Sequence, residues 1–233
     1  MMRPILAVTA LLSLAACSHT PAQSSVATPT RSTTATPAAR AAAPELERYA
    51  SEIDAFDAAD RANLPAPRGI VFVGSSTIRL WSSLADDFGG LPVINRGFGG
   101  STFPEALHYL QRTVVVYEGD NDLAGGRTPQ QIADDYRAFV RGVRDSLPNA
   151  RIVFLAIKPS PSRWKLESQR LEANRLVRAI VNADANQTFV DVGTPMLDPS
   201  SGHPRPTLYR ADSLHMTPAG YALWRATVAP VLK

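Results

Sequence analysis

The sequence has little of what several common protein chemistries require. Cys17 is its only cysteine, so a disulfide framework and a thiolate metal site are both excluded. Thr102 stands where a G-x-G-x-x-G pattern starting at Gly97 needs its last glycine, so a dinucleotide site is disfavoured. The apolar segment near the start, Ile5–Leu14, is too short to span a bilayer by itself.

Acidic residues are absent from the first 43 positions, which contain three of the 24 lysines and arginines. From residue 44 onward 21 basic residues face 21 acidic ones, so this part is formally neutral and the pI of about 9.2 reports the N-terminal segment. We therefore expect no nucleic-acid partner. The roughly 190 residues from 44 to 233 suit a single α/β domain with a sizeable core.

The first 43 residues are typical of export rather than of a folded core. Residues 1–17 have the charge and the apolar core of a signal peptide, and Leu14-Ala15-Ala16-Cys17 resembles the lipobox of bacterial lipoproteins. That resemblance implies cleavage before Cys17 and a lipid on its thiol, while an ordinary secretory signal with an incidental cysteine is the alternative. Residues 18–43, rich in Ser, Thr, Ala and Pro, are predicted to be a disordered tether. Lipoproteins that stay at the inner membrane carry an aspartate after the cysteine, where this chain has Ser18. We therefore expect the protein to be anchored to the outer membrane, facing the periplasm.

Apolar runs alternate with helical patterns along the rest of the chain. The runs are mostly continuous, which is typical of strands covered on both faces. Helical patterns include one that starts at Thr128-Pro129 and a closing one that starts at Thr217-Pro218. This alternation predicts a three-layer α/β/α sandwich with a five-stranded parallel, doubly wound sheet. The predicted strands are Ile70–Val73, Val93–Ile94, Thr113–Tyr117, Arg151–Ile157 and Thr188–Val192.

Polar residues follow each predicted strand. Because the carboxyl ends of parallel strands meet at one edge of an open sheet, where ligands bind, these residues are candidates for a site. They are Ser76 after the first strand, Asn95 and Gly97–Gly100 after the second, Asp120–Asp122 after the third, Lys158–Ser160 after the fourth, and Asp212 with His215 beyond the fifth.

Asp212 stands three residues before His215, on one short turn. A carboxylate there can hold an imidazole N–H, which makes His215 a candidate general base and Ser76 a candidate nucleophile. Ser76 or Ser75 could instead serve only as a helix N-cap. The acids around Asn121 could form a turn, a hydrated acidic loop or, with further oxygen ligands, a cation site.

Four of these segments, in order, resemble the SGNH hydrolases, the GDSL-type esterases and lipases. Gly74-Ser75-Ser76 matches the first block of that family, Gly100 the second, Asn121 the third, and Asp212-x-x-His215 the last. The resemblance implies a flavodoxin-like sheet, Ser76 as nucleophile, His215 as base and Asp212 as orienting acid. It also implies an oxyanion hole made by the N–H groups of Ser76 and Gly100 and by the Asn121 side-chain amide, with no metal and no cofactor.

The sequence departs from the family pattern in two places. Ser75 replaces the aspartate of the first block, which is not a member of the triad. Only 20 residues separate Gly100 from Asn121, whereas the family has about two helical turns more. A helix between about Phe103 and Gln111 would be roughly 14 Å long, so we expect a tight crossover that could pull the third strand out of register.

The sequence therefore predicts a lipid-anchored, monomeric serine ester hydrolase of the bacterial cell envelope. Its substrate would be a small acyl ester or an acetylated saccharide, and lysophospholipid is also open. The alternative is a catalytically weak or inactive envelope lipoprotein that uses the same fold as a binding module.

Overall fold

The computed structural model describes residues 47–63, 69–104 and 113–232. The predicted signal peptide with its lipobox, residues 1–17, and the predicted tether, residues 18–43, lie outside these ranges. The helix predicted between Phe103 and Gln111 is described only as far as Pro104.

Five parallel strands form one sheet in the order β2-β1-β3-β4-β5. This is the flavodoxin-like order of doubly wound sheets, with the switch point between β1 and β3, so the predicted fold class is confirmed. The strands are β1 Ile70–Gly74, β2 Val93–Gly97, β3 Thr113–Tyr117, β4 Ile152–Leu155 and β5 Gln187–Val190.

Four of the five strands differ from the prediction at one or both ends, and two of these differences concern the candidate site. Asn95 belongs to β2 rather than following it, because β2 is an edge strand with one paired neighbour and tolerates polar, half-buried residues. The second difference is that β4 ends at Leu155 rather than at Ile157. The Ile157 amide donates to the Asn174 side chain at 2.9 Å rather than to a neighbouring strand. Lys158 therefore lies beyond the sheet, where it contacts Asp120.

Helices connect the strands and cover both faces of the sheet. Thr128 begins the longest of them with a capping box in which its side chain accepts the Gln131 amide and the Gln131 side chain accepts the Thr128 amide. Within the described ranges, none of the helices has both the length and the apolarity needed to cross a membrane. The helices are α1 Ala50–Ala62, α2 Ser76–Arg79, α3 Leu84–Asp87, α4 Asp120–Ala124, α5 Pro129–Ser146, α6 Glu167–Val181 and α7 Pro218–Val228.

The two faces of the sheet carry separate apolar cores. Successive side chains of a strand point to opposite faces, so Phe72 enters one core while Val71 and Val73 enter the other. The first core includes Trp81 and Trp224, from the α2–α3 and α7 side, and the second is built on α5 and α6. Both faces are thus covered, which explains the continuous apolar runs of the strands.

The third strand keeps its register despite the short crossover before it. β3 pairs with β1 along its whole length, from Ile70 opposite Thr113 to Gly74 opposite Tyr117. The short crossover therefore does not displace β3, and Asn121 is the second residue of α4, just beyond the end of this strand.

Candidate active site

Ser76 is the first residue of α2, directly beyond β1. Ser75 is the N-cap residue, but its buried side chain makes no capping hydrogen bond within the described part of the chain. Gly97 lets β2 approach this turn closely, since a Cβ at Gly97 would lie 2.2 Å from the backbone nitrogen of Arg79. The turn and the neighbouring strand together fix the position of the Ser76 hydroxyl.

The structure brings Ser76, His215 and Asp212 into one hydrogen-bonded chain. Ser76 Oγ lies 3.0 Å from His215 Nε2, and His215 Nδ1 lies 2.6 Å from Asp212 Oδ2. The turn between the acid and the histidine is closed because Asp212 Oδ1 accepts the amides of Leu214 and His215, each at 2.9 Å. Ser213 takes a left-handed backbone conformation there, with φ of +57°.

Asp212 is partly exposed to solvent, and the hydrogen bonds it accepts keep its carboxylate charged. Its side chain is about half exposed, and that of His215 about a quarter. The bond from His215, followed by that from the Leu214 amide, holds the pKa of Asp212 well below its ordinary value. An ionised carboxylate in this position fixes the imidazole tautomer and can stabilise an imidazolium.

Gly100, in the turn after β2, and Asn121, in α4, lie close to each other. The Asn121 amide nitrogen donates to the Ser101 carbonyl at 3.1 Å, and a Cβ built on Gly100 would lie 3.5 Å from that same nitrogen. The amide of Asn121 therefore faces the Gly100 backbone, as the predicted oxyanion hole requires.

An N-terminal tyrosine covers the Gly100 side of this site. The Gly100 amide donates to the Tyr49 hydroxyl at 3.1 Å, and the Tyr49 ring packs edge-on against Phe98 with centroids 5.2 Å apart. Glu52 on α1 accepts the Gly99 amide at 3.3 Å. Tyr49 lies 27 residues before Ser76, outside all the segments predicted to form the site, and sequence reasoning missed it.

A buried charge cluster lies behind Asn121. Arg163 donates from Nη2 to Asn121 Oδ1 at 3.0 Å, and its Nη1 is 2.6 Å from Asp120 Oδ1. Lys158 Nζ approaches Asp120 Oδ2 to 3.4 Å, and its side chain is completely buried. Burial alone would raise the pKa of Asp120, but the charges of Lys158 and Arg163 outweigh it and hold that pKa below its ordinary value.

The acidic segment is the buried first turn of a helix rather than an exposed loop. Asp120 and Asp122 are buried at the start of α4, and Asp122 accepts the amides of Gly119 at 3.1 Å and Phe103 at 3.4 Å. Burial raises the pKa of Asp122 to about 6. Across residues 47–63, 69–104 and 113–232, no three His, Cys, Asp or Glu side chains converge as a metal site would need.

The segment after β4 connects the turn that holds Asp212 and His215 to Asn121. The Ser162 amide donates to the Ser213 carbonyl at 3.1 Å, and Arg163 next to it contacts Asn121. Sequence reasoning located this segment at the edge of the pocket but did not predict that Lys158 and Arg163 contact Asp120. A usable signal was present, since Asp120 and Lys158 follow neighbouring apolar strands, and opposite charges beyond such strands tend to pair.

Comparison with known proteins identifies the class. The family model described as "GDSL-like Lipase/Acylhydrolase family" matches residues 72–223. The chain belongs to this family of acylhydrolases, which is consistent with esterase activity.

Two relatives and one solved structure illustrate the similarity. The chain is 30% identical over 174 residues to "Platelet-activating factor acetylhydrolase IB subunit alpha1" of Pongo abelii, covering 66% of this chain and 70% of the relative. It is 26% identical over 173 residues to subunit alpha2 of the same name from Rattus norvegicus, covering 66% and 71%. A GDSL-like lipase of Bacteroides thetaiotaomicron has the same fold, with a TM-score of 0.62 at 20% identity, over 80% of this chain and 96% of that one.

Proposed function

We propose that this protein is a serine ester hydrolase that cleaves carboxylic esters through an acyl-enzyme. The observation that carries the proposal is the hydrogen-bonded chain from Ser76 Oγ through His215 to Asp212, with separations of 3.0 and 2.6 Å. A hydroxyl within reach of a histidine whose other nitrogen contacts a carboxylate is the arrangement that activates a serine nucleophile.

Each of the three hydrogen-bonded residues has a defined role in the reaction. His215 Nε2 removes the Ser76 proton as Oγ attacks the ester carbonyl carbon, and the carbonyl oxygen gains the negative charge. The Ser76 and Gly100 N–H groups and the Asn121 amide donate to this oxygen. His215 then protonates the departing alkoxide, and an activated water releases the acid by the same route. Asp212 remains charged throughout.

We propose that the ester substrate carries a short acyl group, acetyl in particular, which is released as the free acid. The support is the name acetylhydrolase of the relative that is 30% identical. An ester series from acetyl to long-chain p-nitrophenyl esters, together with acetylated xylan and lysophospholipid, would test this. Fastest turnover of a long-chain ester or lysophospholipid would contradict the short-acyl proposal.

The nucleophile is tested by exchanging each of two neighbouring serines. Ser76→Ala is expected to lower p-nitrophenyl acetate turnover by several orders of magnitude and to abolish labelling by a fluorophosphonate. Ser75→Ala is the matched control and should lower this turnover only slightly. Equal losses in both variants would refute the assignment of Ser76. A wild-type protein that neither labels nor turns over any ester would favour the binding-module alternative.

We also propose that Cys17 carries a lipid that anchors the enzyme to the outer membrane, facing the periplasm. The support is the lipobox sequence and the acid-free segment that follows it. Wild type should then sediment with outer membranes, while Cys17→Ser should be soluble or unprocessed. Recovery of the wild-type protein only in the soluble fraction would contradict this.

A further inference from the structure

The Asn121 side chain can serve an oxyanion in only one of its two amide orientations. Its Oδ1 and Nδ2 ends have nearly the same shape but opposite hydrogen-bonding character. With Nδ2 towards Gly100 the residue donates to the oxyanion, whereas after a half-turn Oδ1 would repel it. Something in the protein must therefore hold the amide in place.

Two contacts define the orientation of this amide. Arg163 Nη2 donates to Asn121 Oδ1 at 3.0 Å, and Asn121 Nδ2 donates to the Ser101 carbonyl at 3.1 Å. A half-turn of the amide would set its NH₂ against the guanidinium and its oxygen against a carbonyl. Both contacts would change from favourable to repulsive, so Arg163 acts on one end of the amide and the Ser101 carbonyl on the other.

Arg163 is itself held by the buried carboxylate of Asp120. The two groups are 2.6 Å apart, and the Asp120 side chain is only 9% exposed. Lys158 supplies a second cation on the opposite oxygen of Asp120, at 3.4 Å. The guanidinium thus bridges a fixed carboxylate and the Asn121 oxygen, a role for which its planar fork of donors is suited and a lysine ammonium is not.

We propose that Arg163 is a positioning residue of the oxyanion hole, which fixes the Asn121 amide with Nδ2 towards the oxyanion and strengthens it as a donor. This deepens the proposed esterase mechanism and rests on it. Strengthening follows because hydrogen bonds in a chain polarise one another, so a cation on Oδ1 makes the N–H groups of the same amide better donors. The effect grows as charge develops on the substrate oxygen, and kcat should therefore change more than KM.

A double-mutant cycle tests whether Arg163 acts through Asn121. The rates to compare are kcat and KM for p-nitrophenyl acetate in wild type, Arg163→Met, Asn121→Ala and the double variant. Asn121→Ala should lower kcat about 100- to 1,000-fold, as loss of an oxyanion donor does. Arg163→Met should lower it about 10- to 100-fold, the range found when a residue that orients a metal ligand through a hydrogen bond is removed, which is the nearest comparable role. The double variant should be no slower than Asn121→Ala alone, because the two residues form one unit.

Two further variants separate positioning from folding. Arg163→Lys keeps a cation beside Asp120 and should keep the melting temperature while kcat stays well below wild type. Arg175→Met removes an arginine from an exposed pair with Glu172 on α6, 2.7 Å long, and should leave kcat unchanged. Circular dichroism of every variant shows whether a lost rate reflects lost structure.

The failures of the two proposals can be told apart. If Arg163→Met slows the Asn121→Ala protein as much as it slows wild type, Arg163 acts independently and the positioning role is wrong. A wild-type kcat in either Arg163→Met or Asn121→Ala also overturns it. In both cases complete inactivity of Ser76→Ala would leave the esterase mechanism standing, whereas an active Ser76→Ala would refute that mechanism and this inference together.

Discussion

The two sides of the predicted oxyanion hole are supported in opposite ways. Asn121 rests on buried charges at the ends of β3 and β4, with Lys158 and Asp120 almost without solvent contact. Gly100 instead faces Tyr49, which is attached to α1, a helix whose residues are all exposed or half-buried. The Asn121 side is anchored at the ends of two strands of the sheet. The Gly100 side is covered by Tyr49 at the start of α1, a helix on the surface of the protein.

The ion pairs show how different these supports are. Breaking a buried pair typically costs about 3–5 kcal/mol, because one charge is left uncompensated in the interior. One pair that ties α1 to the site, Arg79 with Glu52 at 3.3 Å, has side chains that are 49% and 33% exposed. A second pair, Arg96 with Asp60, is also partly exposed. Such pairs contribute roughly 0–1 kcal/mol. We therefore expect the Asn121 side to be preorganised, and the Tyr49 side to be the one that opens for substrate.

The largest effect should follow from removing the buried carboxylate. Asp120→Asn leaves Lys158 and Arg163 without their shared anion and should lower the free energy of unfolding by about 3–5 kcal/mol. Glu52→Gln, on the exposed side, should lower it by less than about 1 kcal/mol. Urea unfolding at pH 7 measures both. Equal losses would show that the two sides are not differently supported.

A second effect, of intermediate size, depends on pH. Because burial raises the pKa of Asp122 to about 6, the folded protein holds this proton more tightly than the unfolded chain does. The stability that protonation contributes is full below about pH 4 and is lost as the pH rises through about 6, roughly 3 kcal/mol in all. Asp122→Asn lacks this contribution.

The two proteins must be compared because other carboxylates titrate in the same range. Unfolding free energies of wild type and Asp122→Asn, measured from pH 4 to 8, should differ by an amount that shifts in favour of the variant as the pH rises. A difference independent of pH would contradict the raised pKa of Asp122.

The smallest effect is expected on the Tyr49 side. Tyr49→Phe keeps the packing on Phe98 but removes the hydroxyl that accepts the Gly100 amide. If the substrate oxygen must replace that hydroxyl, the change should raise kcat/KM about two- to tenfold, the equivalent of one hydrogen bond. Tyr136→Phe, whose hydroxyl contacts Gln187 away from the site, is the control. A lower kcat in Tyr49→Phe would show that the hydroxyl assists the reaction instead.

The fold and the contact between Asp212 and His215 could be predicted because their signals are local. Continuous apolar runs define the strands, and the Asp212-to-His215 spacing is closed by hydrogen bonds within one turn. Recognition of four ordered sequence blocks supplied the order in which Ser76, Gly100 and Asn121 enter the site. The sequence left open whether the short crossover would displace β3, and the structure shows that β3 keeps full register with β1.

The amino-acid sequence by itself determined the α/β architecture, the turn that joins His215 to Asp212, and the placement of polar residues at one sheet edge. Only the tertiary structure decided which groups contact Asn121 and Gly100, the two residues predicted to donate to an oxyanion. The Arg163–Asn121 contact joins residues 42 positions apart, and the Tyr49–Gly100 contact joins residues 51 apart. Periodicity and spacing report neighbours along the chain, whereas these contacts depend on strand order, the early end of β4 and the docking of α1 on the finished sheet.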